Sequence, residues 1–224
     1  MKCVAVSDIH CREVVTEQAD LLLVAGDISM TGAKAELNWY CDWLIRQPQK
    51  YKVWIAGNHE LGLEANPGLA MRLAETTGTI YLEDSGCEIE GIKIWGSPVT
   101  PWFMDWAYNR SRGREIATHW QKIPEGQDIL LSHGPPYGFR DTLDNGELVG
   151  CEDLLNTIKY QLNSPPQYLI CGHIHCGYGQ ETLVREDGKA VSIINASVCD
   201  EAYKASNAPV VFTIEPQAQR TSIE

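Results

Sequence analysis

Five short apolar runs in this chain end in the same way, with one small residue followed by a polar side chain that can bind a metal ion. The five endings are Ser7-Asp8, Gly26-Asp27, Gly57-Asn58, Ser132-His133 and Gly172-His173. Short runs rich in Val, Ile and Leu, closed by Gly or Ser, are typical of strands buried within a sheet. Because sites of open α/β sheets lie beyond the carboxyl ends of the strands, we expect these polar groups to converge although they are far apart in sequence.

The remaining segments predict an α/β fold with two sheets. Helical patterns separate several of the strands, and the segments 33–45 and 151–162 each place apolar side chains on one helix face, with Thr31 as a candidate N-cap of the first. In 80–95 and 182–194, by contrast, short strands follow one another across turn signals and leave no room for helices. Two packed sheets with helices outside accommodate both patterns. No linker, repeat or low-complexity stretch divides the chain, so we expect a single domain over all 224 residues.

Composition and charge limit the partners of the chain. Its formal charge of −12 argues against binding to duplex nucleic acid, which requires a basic face. A small anionic substrate is compatible with that charge, because bound divalent cations reverse the sign of a cleft locally. No apolar stretch is long enough to cross a bilayer or to form the core of a secretory signal. We therefore expect a cytoplasmic protein without a membrane partner, whose 8 cysteines are reduced.

The placement of the histidines favours one joint site over a set of unrelated polar residues. Five of the six histidines lie at or just after a strand end, namely His10, His59, His133, His173 and His175. A single Asp after a strand is usually a turn or cap residue, and a single His is usually a surface or core residue. Neither explanation gives a reason for the same placement at five strand ends.

Seven oxygen and nitrogen donors are the candidate metal ligands: Asp8, His10, Asp27, Asn58, His133, His173 and His175. That number is too large for one tetrahedral ion and suits two ions that share a carboxylate. Carboxylate, imidazole and amide oxygen without thiolate favour Mn, Fe or Zn. The histidines at positions 10 and 175 each follow another candidate by two residues, so each pair faces one way if the extended conformation continues past the strand. His59 directly follows Asn58 and should point away from it, which leaves His59 free to serve a leaving group.

The same five segments resemble the signature blocks of the calcineurin-like metallophosphoesterases. In chain order the blocks read Asp8-Ile9-His10, Gly26-Asp27, Gly57-Asn58-His59-Glu60, Ser132-His133-Gly134 and Gly172-His173-Ile174-His175. Gly96-Ser97-Pro98, Pro101-Trp102-Phe103, the segment 133–141 and Asn195-Ala196-Ser197 are similar to the branch called metallophosphoesterase-domain-containing proteins. The resemblance covers nearly the whole chain. It implies a four-layer α/β/β/α sandwich of two mixed sheets flanked by helices.

The resemblance also implies a role for each residue of the site. Asp8, His10 and His175 would hold the first ion, Asn58, His133 and His173 would hold the second, and Asp27 would bridge the two. His59 matches the family's histidine that donates a proton to the departing oxygen or stabilises it. Some members of the branch carry glycine in place of the first histidine of the last block. Because His173 is present here, we expect both ions to be bound.

The paired-cation site is of the kind that splits phosphate esters. The resemblance further implies a metal-dependent phosphodiesterase acting on a small phosphodiester, with cyclic nucleotides among the candidate substrates. A hydroxide that bridges the two ions would attack phosphorus in line. A phosphomonoesterase or a nuclease with the same site is an alternative, because such activities differ in the walls of the cleft and not in the ligands. A non-catalytic scaffold is a third alternative, but it predicts gaps in the ligand set, and there are none. Ile28-Ser29 stands where the Ser/Thr protein phosphatases have Asp-Arg-Gly, which makes a phosphoprotein a poor candidate substrate.

The segment 101–114 carries a weaker signal for substrate binding. It combines aromatic residues with arginines, namely Trp102, Phe103, Trp106, Tyr108, Arg110, Arg112 and Arg114. Such residues could stack a base and neutralise a phosphate at the mouth of a site. We nevertheless expect most of the rings to be buried and most of the arginines to be solvated. The sequence therefore assigns no substrate-binding residue.

Four residues within or near the blocks have open roles. Glu60 could orient His59 or cap the segment that follows, and Arg140 could meet a phosphate or pair with the next residue. Cys171 lies inside an apolar run and is expected to pack as a small hydrophobic residue. Cys176 is a candidate for oxidation near the metals.

Overall fold

The computed structural model describes residues 1–216, which contain thirteen strands and five α-helices. In chain order the strands are β1 (Lys2–Val6), β2 (Leu21–Ala25), β3 (Tyr51–Ile55), β4 (Ile80–Tyr81), β5 (Ser85–Ile89), β6 (Ile92–Ser97), β7 (Thr100–Pro101), β8 (Asn109–Arg110), β9 (Ile129–Ser132), β10 (Tyr168–Cys171), β11 (Gly179–Val184), β12 (Ala190–Asn195) and β13 (Val210–Thr213). The helices are α1 (Lys34–Arg46), α2 (Leu61–Glu64), α3 (Leu69–Thr77), α4 (Arg114–Trp120) and α5 (Glu152–Asn156), which continues as a π-helix over Thr157–Gln161. None of the helices in this part of the chain has the length and hydropathy of a membrane-spanning segment.

The strands form two mixed sheets and a separate two-stranded ribbon, β7–β8. The first sheet has the order β13-β1-β2-β3-β4, and the second has the order β11-β12-β10-β9-β6-β5. In the first, β1 to β4 are parallel and β13 is antiparallel. In the second, the four inner strands are parallel and the two edge strands are antiparallel. Every strand that precedes a candidate ligand (β1, β2, β3, β9 and β10) is therefore an inner, parallel strand.

Side chains that alternate along the inner strands pack in opposite directions, which explains why the runs are continuously apolar. In β2, Leu21 and Leu23 belong to the core between the two sheets, together with Ile129 of β9. Leu22 and Val24 of the same strand belong to the core beneath α1 and α3. Both faces of these strands are buried, so neither face can be polar.

Helices cover the outer face of each sheet. Tyr40 of α1 packs edge-on against Trp54 of β3, with ring centroids 5.4 Å apart. On the other side, Trp120 of α4 and Leu154 of α5 pack with Leu169 of β10. The layers follow the order helix, sheet, sheet, helix, and the predicted four-layer sandwich is confirmed.

The two predicted helices differ from the structure at their ends. Thr31 is not the N-cap of α1 but lies in the preceding turn, where its N–H and hydroxyl both donate to Glu36 at 3.0 Å. The helix predicted over 151–162 is α-helical only in α5 and then widens into the π-helix. The strand-rich segments 80–95 and 182–194 contain strands and no helix, as predicted.

Candidate metal centre

The seven candidate ligands converge where the inner strands of both sheets end. The donor atoms of six of them, with that of His59, form three overlapping groups within which all donors lie within 4.8 Å of one another. The groups are Asp8 with His10 and His175, His10 with Asp27 and His59, and Asp27 with His133 and His173. Asn58 joins the third group, because its Oδ1 lies 2.9 Å from Nε2 of His133. All the side chains in the cluster are buried except that of His173, which is partly exposed.

Asp27 lies between the two halves of the cluster. Its Oδ1 is 3.2 Å from Nε2 of His133. Its Oδ2 is 3.9 Å from Nε2 of His10 and 4.0 Å from Nε2 of His59. One oxygen directed at each half is what a carboxylate needs in order to be shared by two cations.

The backbone leaves the extended conformation as soon as these strands end. Asp8, His10, Asp27 and His173 have φ values of 53°, 45°, 50° and 69°, in a region that residues other than glycine rarely adopt. The extended conformation does not continue beyond β1 and β10, so the condition under which each pair would face one way is not met. The turns after β1 and β2 are hydrogen-bonded to each other instead, since the N–H of His10 donates to the Asp27 carbonyl at 3.1 Å. Such strain is typical of sites whose geometry the surrounding fold imposes.

Two glycines make the crowding of these turns possible. A Cβ at Gly57 would overlap both the carboxylate and the backbone nitrogen of Asp27. A Cβ at Gly172 would overlap the carboxylate of Asp8. Steric crowding therefore explains why a glycine precedes the candidate ligand at these two positions.

Four imidazoles are held in one orientation by backbone carbonyls. Each Nδ1 lies 2.8–3.0 Å from a carbonyl oxygen: His10 from that of Ser29, His59 from Met30, His133 from Ala25 and His175 from Asp200. An Nδ1–H donated to a carbonyl leaves the Nε2 lone pair free, and Nε2 is the atom that faces the cluster. This anchoring is typical of metal-binding histidines. It depends on tertiary structure, so no sequence pattern reveals it.

Charge and burial shift the pKa values of the histidines in opposite directions. Burial alone would lower the pKa of His133, but the Asp27 carboxylate beside it raises that pKa to about 9. Burial likewise opposes the effect of Asp8 on His175, where the hydrogen bond and charge of Asp8 prevail and raise the pKa to about 9. Burial, reinforced by His133, lowers the pKa of His173 to about 4. The imidazoles of His133 and His175 thus lie where negative charge favours a bound proton, and the same charge would favour a divalent cation. The set of donors fits two such cations.

Comparison with known proteins decides the family. A family model described as "Calcineurin-like phosphoesterase" matches residues 1–177. The chain belongs to this family. The phosphoesterase is 37% identical to human "Metallophosphoesterase domain-containing protein 1" over 235 residues, covering 94% of this chain and 70% of that protein, and the mouse protein of the same name gives the same figures. It is 32% identical to "UPF0046 protein K07C11.7" of Caenorhabditis elegans, covering 96% of this chain and 75% of that protein.

Solved structures agree with the fold of the phosphoesterase. One crystal structure superposes with a TM-score of 0.60 at 16% identity, covering 87% of this chain and 89% of that chain. The crystal structure of TT1561 of Thermus thermophilus superposes with a TM-score of 0.50 at 13% identity, covering 96% of this chain and 99% of that chain. The family and the ligand cluster together identify a metal-dependent phosphoester hydrolase.

A cleft of ≈ 600 Å³ opens over the candidate ligands of the phosphoesterase. One wall is the loop of the ribbon β7–β8, in which Trp102, Phe103 and Met104 are 61%, 57% and 60% exposed. Further along the same loop, Trp106 stacks on His59 with ring centroids 4.4 Å apart. The expected burial of the aromatic rings is therefore wrong for Trp102 and Phe103, because the ribbon carries them over the cleft and away from the core.

The arginines near the cleft are engaged by the protein. Arg112 lines the cleft and donates to two backbone carbonyls at 2.6 and 2.7 Å, and Arg110 donates to Glu64 at 3.3 Å. Arg140 donates to two other carbonyls at 2.9 and 2.7 Å. The carboxylate of Asp141 accepts backbone N–H groups, so the pair suggested for Arg140 does not form.

Glu60 connects two of the turns that carry candidate ligands. Its buried carboxylate accepts hydrogen bonds from the N–H groups of Asp27 and Gly57 at 3.0 and 2.7 Å, and from the N–H and hydroxyl of Ser29 at 3.0 and 2.8 Å. Burial, followed by the charge of Asp27, raises the pKa of Glu60 to about 7. Its role is thus to join the turns after β2 and β3, which neither of the two suggested roles describes.

The two cysteines near the last block lie in different environments. Cys171 is fully buried within the core beneath α4 and α5, as predicted. Cys176 is exposed, and its Sγ lies 3.3 Å from the Thr142 carbonyl oxygen. Tyr203, which also lines the cleft, is a residue that the sequence patterns missed.

Proposed function

We propose that the phosphoesterase hydrolyses a small phosphodiester with a nucleotide-like substituent, at a site that holds two divalent cations drawn from Mn, Fe and Zn. Asp8, His10 and His175 would hold one cation, Asn58, His133 and His173 the other, and Asp27 would contact both. When bound, the cations polarise the phosphate and lower the pKa of a water molecule to about 7. The protein supplies the remaining contributions.

His59 is the proposed proton donor to the departing oxygen. Its Nδ1 is fixed on the Met30 carbonyl at 2.8 Å, so Nε2 is the nitrogen that faces the cleft. Its backbone N–H donates to Asp27 at 2.9 Å, and Trp106 covers one face of the ring. These contacts fix the ring, so that a proton at Nε2 can be delivered to an alkoxide leaving over the cluster.

The charge of the cleft walls supports a diester over a monoester. A monoester brings up to two negative charges and a diester brings one. Among the described residues that line the cleft, Arg112 is the sole arginine or lysine, and its guanidinium already donates to two carbonyls. Glu147 and Glu201 line the same cleft and add negative charge. A cleft of this composition is better matched to the ester with the smaller charge.

The aromatic wall supports a nucleotide-like substituent. Trp102 and Phe103 are exposed at the mouth, where a flat base could stack at about 1–3 kcal/mol for each contact. The acidic walls also disfavour duplex nucleic acid, which binds to basic surfaces. A small diester with one aromatic substituent fits both features.

The test compares esters with the same chromophore. Protein loaded with Mn²⁺ is assayed with bis(p-nitrophenyl) phosphate and with p-nitrophenyl phosphate, and then with 2′,3′- and 3′,5′-cyclic nucleotides. We expect a higher kcat/KM for the diester and hydrolysis of at least one cyclic nucleotide. Faster hydrolysis of the monoester would replace the proposal with a phosphomonoesterase.

Variants test the assigned roles. Asp27→Ala should lose both activity and stoichiometric metal, whereas His59→Ala should keep its metal and lose about 10²- to 10⁴-fold in rate. His119→Ala is the matched control, because His119 lies on α4 and pairs with Asp84 at 2.6 Å. Parental activity in Asp27→Ala would contradict the assignment.

A further inference from the structure

Tyr203 lies against three histidines of the metal centre. Its ring centroid is 4.7 Å from that of His10, 5.4 Å from that of His175 and 6.1 Å from that of His59, in an edge-on arrangement each time. Tyr203 also lines the cleft. One phenol ring therefore adjoins two candidate ligands of the first cation and the proposed proton donor.

The turn that carries Tyr203 is fixed to the same framework as the ligands. Tyr203 has a φ of 57°, the left-handed conformation that four of the candidate ligands also adopt. Its carbonyl accepts a hydrogen bond from Arg12 at 2.9 Å, and its N–H donates to the Asp200 carbonyl at 2.8 Å. That Asp200 carbonyl is also the acceptor for Nδ1 of His175 at 2.9 Å. Tyr203 and His175 are thus anchored on one atom, and a non-glycine residue is held in a costly conformation beside the site.

The hydroxyl of Tyr203 has no hydrogen-bond partner within residues 1–216, whereas the hydroxyl of Tyr178 donates to a carbonyl at 2.9 Å. Because Tyr203 is only partly buried and lines the cleft, its hydroxyl is free to meet a ligand that enters there. A neutral phenol is a hydrogen-bond donor up to a pH of about 10. At the wall of a phosphoester site, an unused donor is suited to an anionic oxygen.

We propose that Tyr203 is a further catalytic residue, whose phenol O–H donates a hydrogen bond to an oxygen of the phosphoryl group bound over the cluster. The phenol keeps its proton throughout, and no bond to the protein forms. The hydrogen bond strengthens as negative charge accumulates on the phosphoryl oxygens in the transition state. The proposal rests on phosphoester hydrolysis at this centre and is independent of a preference for diesters.

Tyr203→Phe removes the hydroxyl and keeps the ring that packs on the histidines. Steady-state rates are measured with whichever p-nitrophenyl ester the parent hydrolyses faster. Metal content per chain, thermal stability and binding of inorganic phosphate to the metal-loaded protein are measured in parallel. We expect kcat/KM to fall about 10- to 100-fold and phosphate to bind more weakly, while metal content and Tm stay unchanged.

Tyr160→Phe is the matched control, because Tyr160 is exposed on the π-helix and does not line the cleft. Parental kcat/KM and phosphate affinity in Tyr203→Phe would overturn the proposal. Loss of metal in Tyr203→Phe would also overturn it, since the residue would then act on the ligands and not on the substrate. If the parent hydrolyses neither p-nitrophenyl ester nor any cyclic nucleotide, the proposed function fails and takes the catalytic role of Tyr203 with it. Weaker phosphate binding in Tyr203→Phe would then still show that the hydroxyl contacts the bound anion.

Discussion

Gly57→Ala is the substitution that most directly tests the crowding of the metal centre. Gly57 has an ordinary φ, so an alanine is not strained there by its backbone conformation. The added methyl would stand 2.5 Å from the backbone nitrogen of Asp27 and 2.7 Å from Cε1 of His133. The obstacle includes main chain, and a change of rotamer cannot relieve it.

The size of the effect follows from these distances. The contact with the Asp27 nitrogen is about 0.9 Å short of the 3.4 Å at which ordinary contact begins. Overpacking of this kind costs about 3 kcal/mol, and the usual gain from Gly→Ala in the unfolded chain offsets less than about 1 kcal/mol of it. We therefore expect the free energy of unfolding to fall by about 2 kcal/mol, which lowers Tm by about 4–8 °C. A displacement of this size also exceeds the tolerance of a metal site, which is about 0.5 Å.

Thermal unfolding in EDTA isolates the packing effect, and elemental analysis of protein loaded with Mn²⁺ reports the effect on the site. Gly134→Ala is the matched control, since it makes the same change within another ligand block. Its methyl would meet a side-chain methyl of Thr100 at 3.3 Å, and that group can move. Its Tm should lie within about 2 °C of the parent. Parental Tm and two metals per chain in Gly57→Ala would refute the steric argument.

Three further predictions concern protons and substrate. Because the pKa of Glu60 is raised to about 7, folded metal-free protein holds a proton that the unfolded chain has released, so stability should fall as pH rises from about 4.5 to 7. Urea titrations in EDTA at several pH values measure the free energy of unfolding, and its fall with pH should be smaller in Glu60→Gln than in the parent by up to about 3 kcal/mol. The same dependence on pH in both proteins would contradict the prediction. Because the pKa values of His133 and His175 are raised to about 9, metal binding at pH 7.5 should release about two protons. Calorimetry in buffers of different ionisation enthalpy measures this release, and its absence would count against both histidines as ligands. Trp102→Ala should raise KM for a cyclic nucleotide about 5- to 100-fold with little change in kcat, and an unchanged KM would remove Trp102 from the substrate site.

The strands were predictable because their environment leaves a direct trace in the sequence. The runs 21–25 and 168–171 coincide with β2 and β10, since inner strands buried on both faces must be apolar throughout. The termini of the helices were less predictable. Thr31 has the chemistry of an N-cap, but its hydroxyl donates a hydrogen bond to Glu36 from the turn before α1. That position depends on a contact between two side chains.

The candidate site was likewise predictable only in part. Residue types and their placement after strand ends sufficed to select seven donors that the fold brings together. Their role as ligands stays a prediction. The left-handed turns at Asp8 and His10 and the exposure of Trp102 were not predictable. Each depends on how one loop meets another, as when Ser197 donates to Asp8 at 2.7 Å across 189 residues of chain.

By itself, the amino-acid sequence determined which strands are buried, which small residues end them and which polar groups follow. These properties are local, because each residue must suit its own position in a sheet. Only the tertiary structure decided that four imidazoles are hydrogen-bonded to backbone carbonyls, that Glu60 accepts hydrogen bonds from two turns and that Tyr203 packs against the candidate ligands. Those contacts join segments far apart in the chain, and their geometry is set by the packing of two sheets against each other, which no single segment encodes.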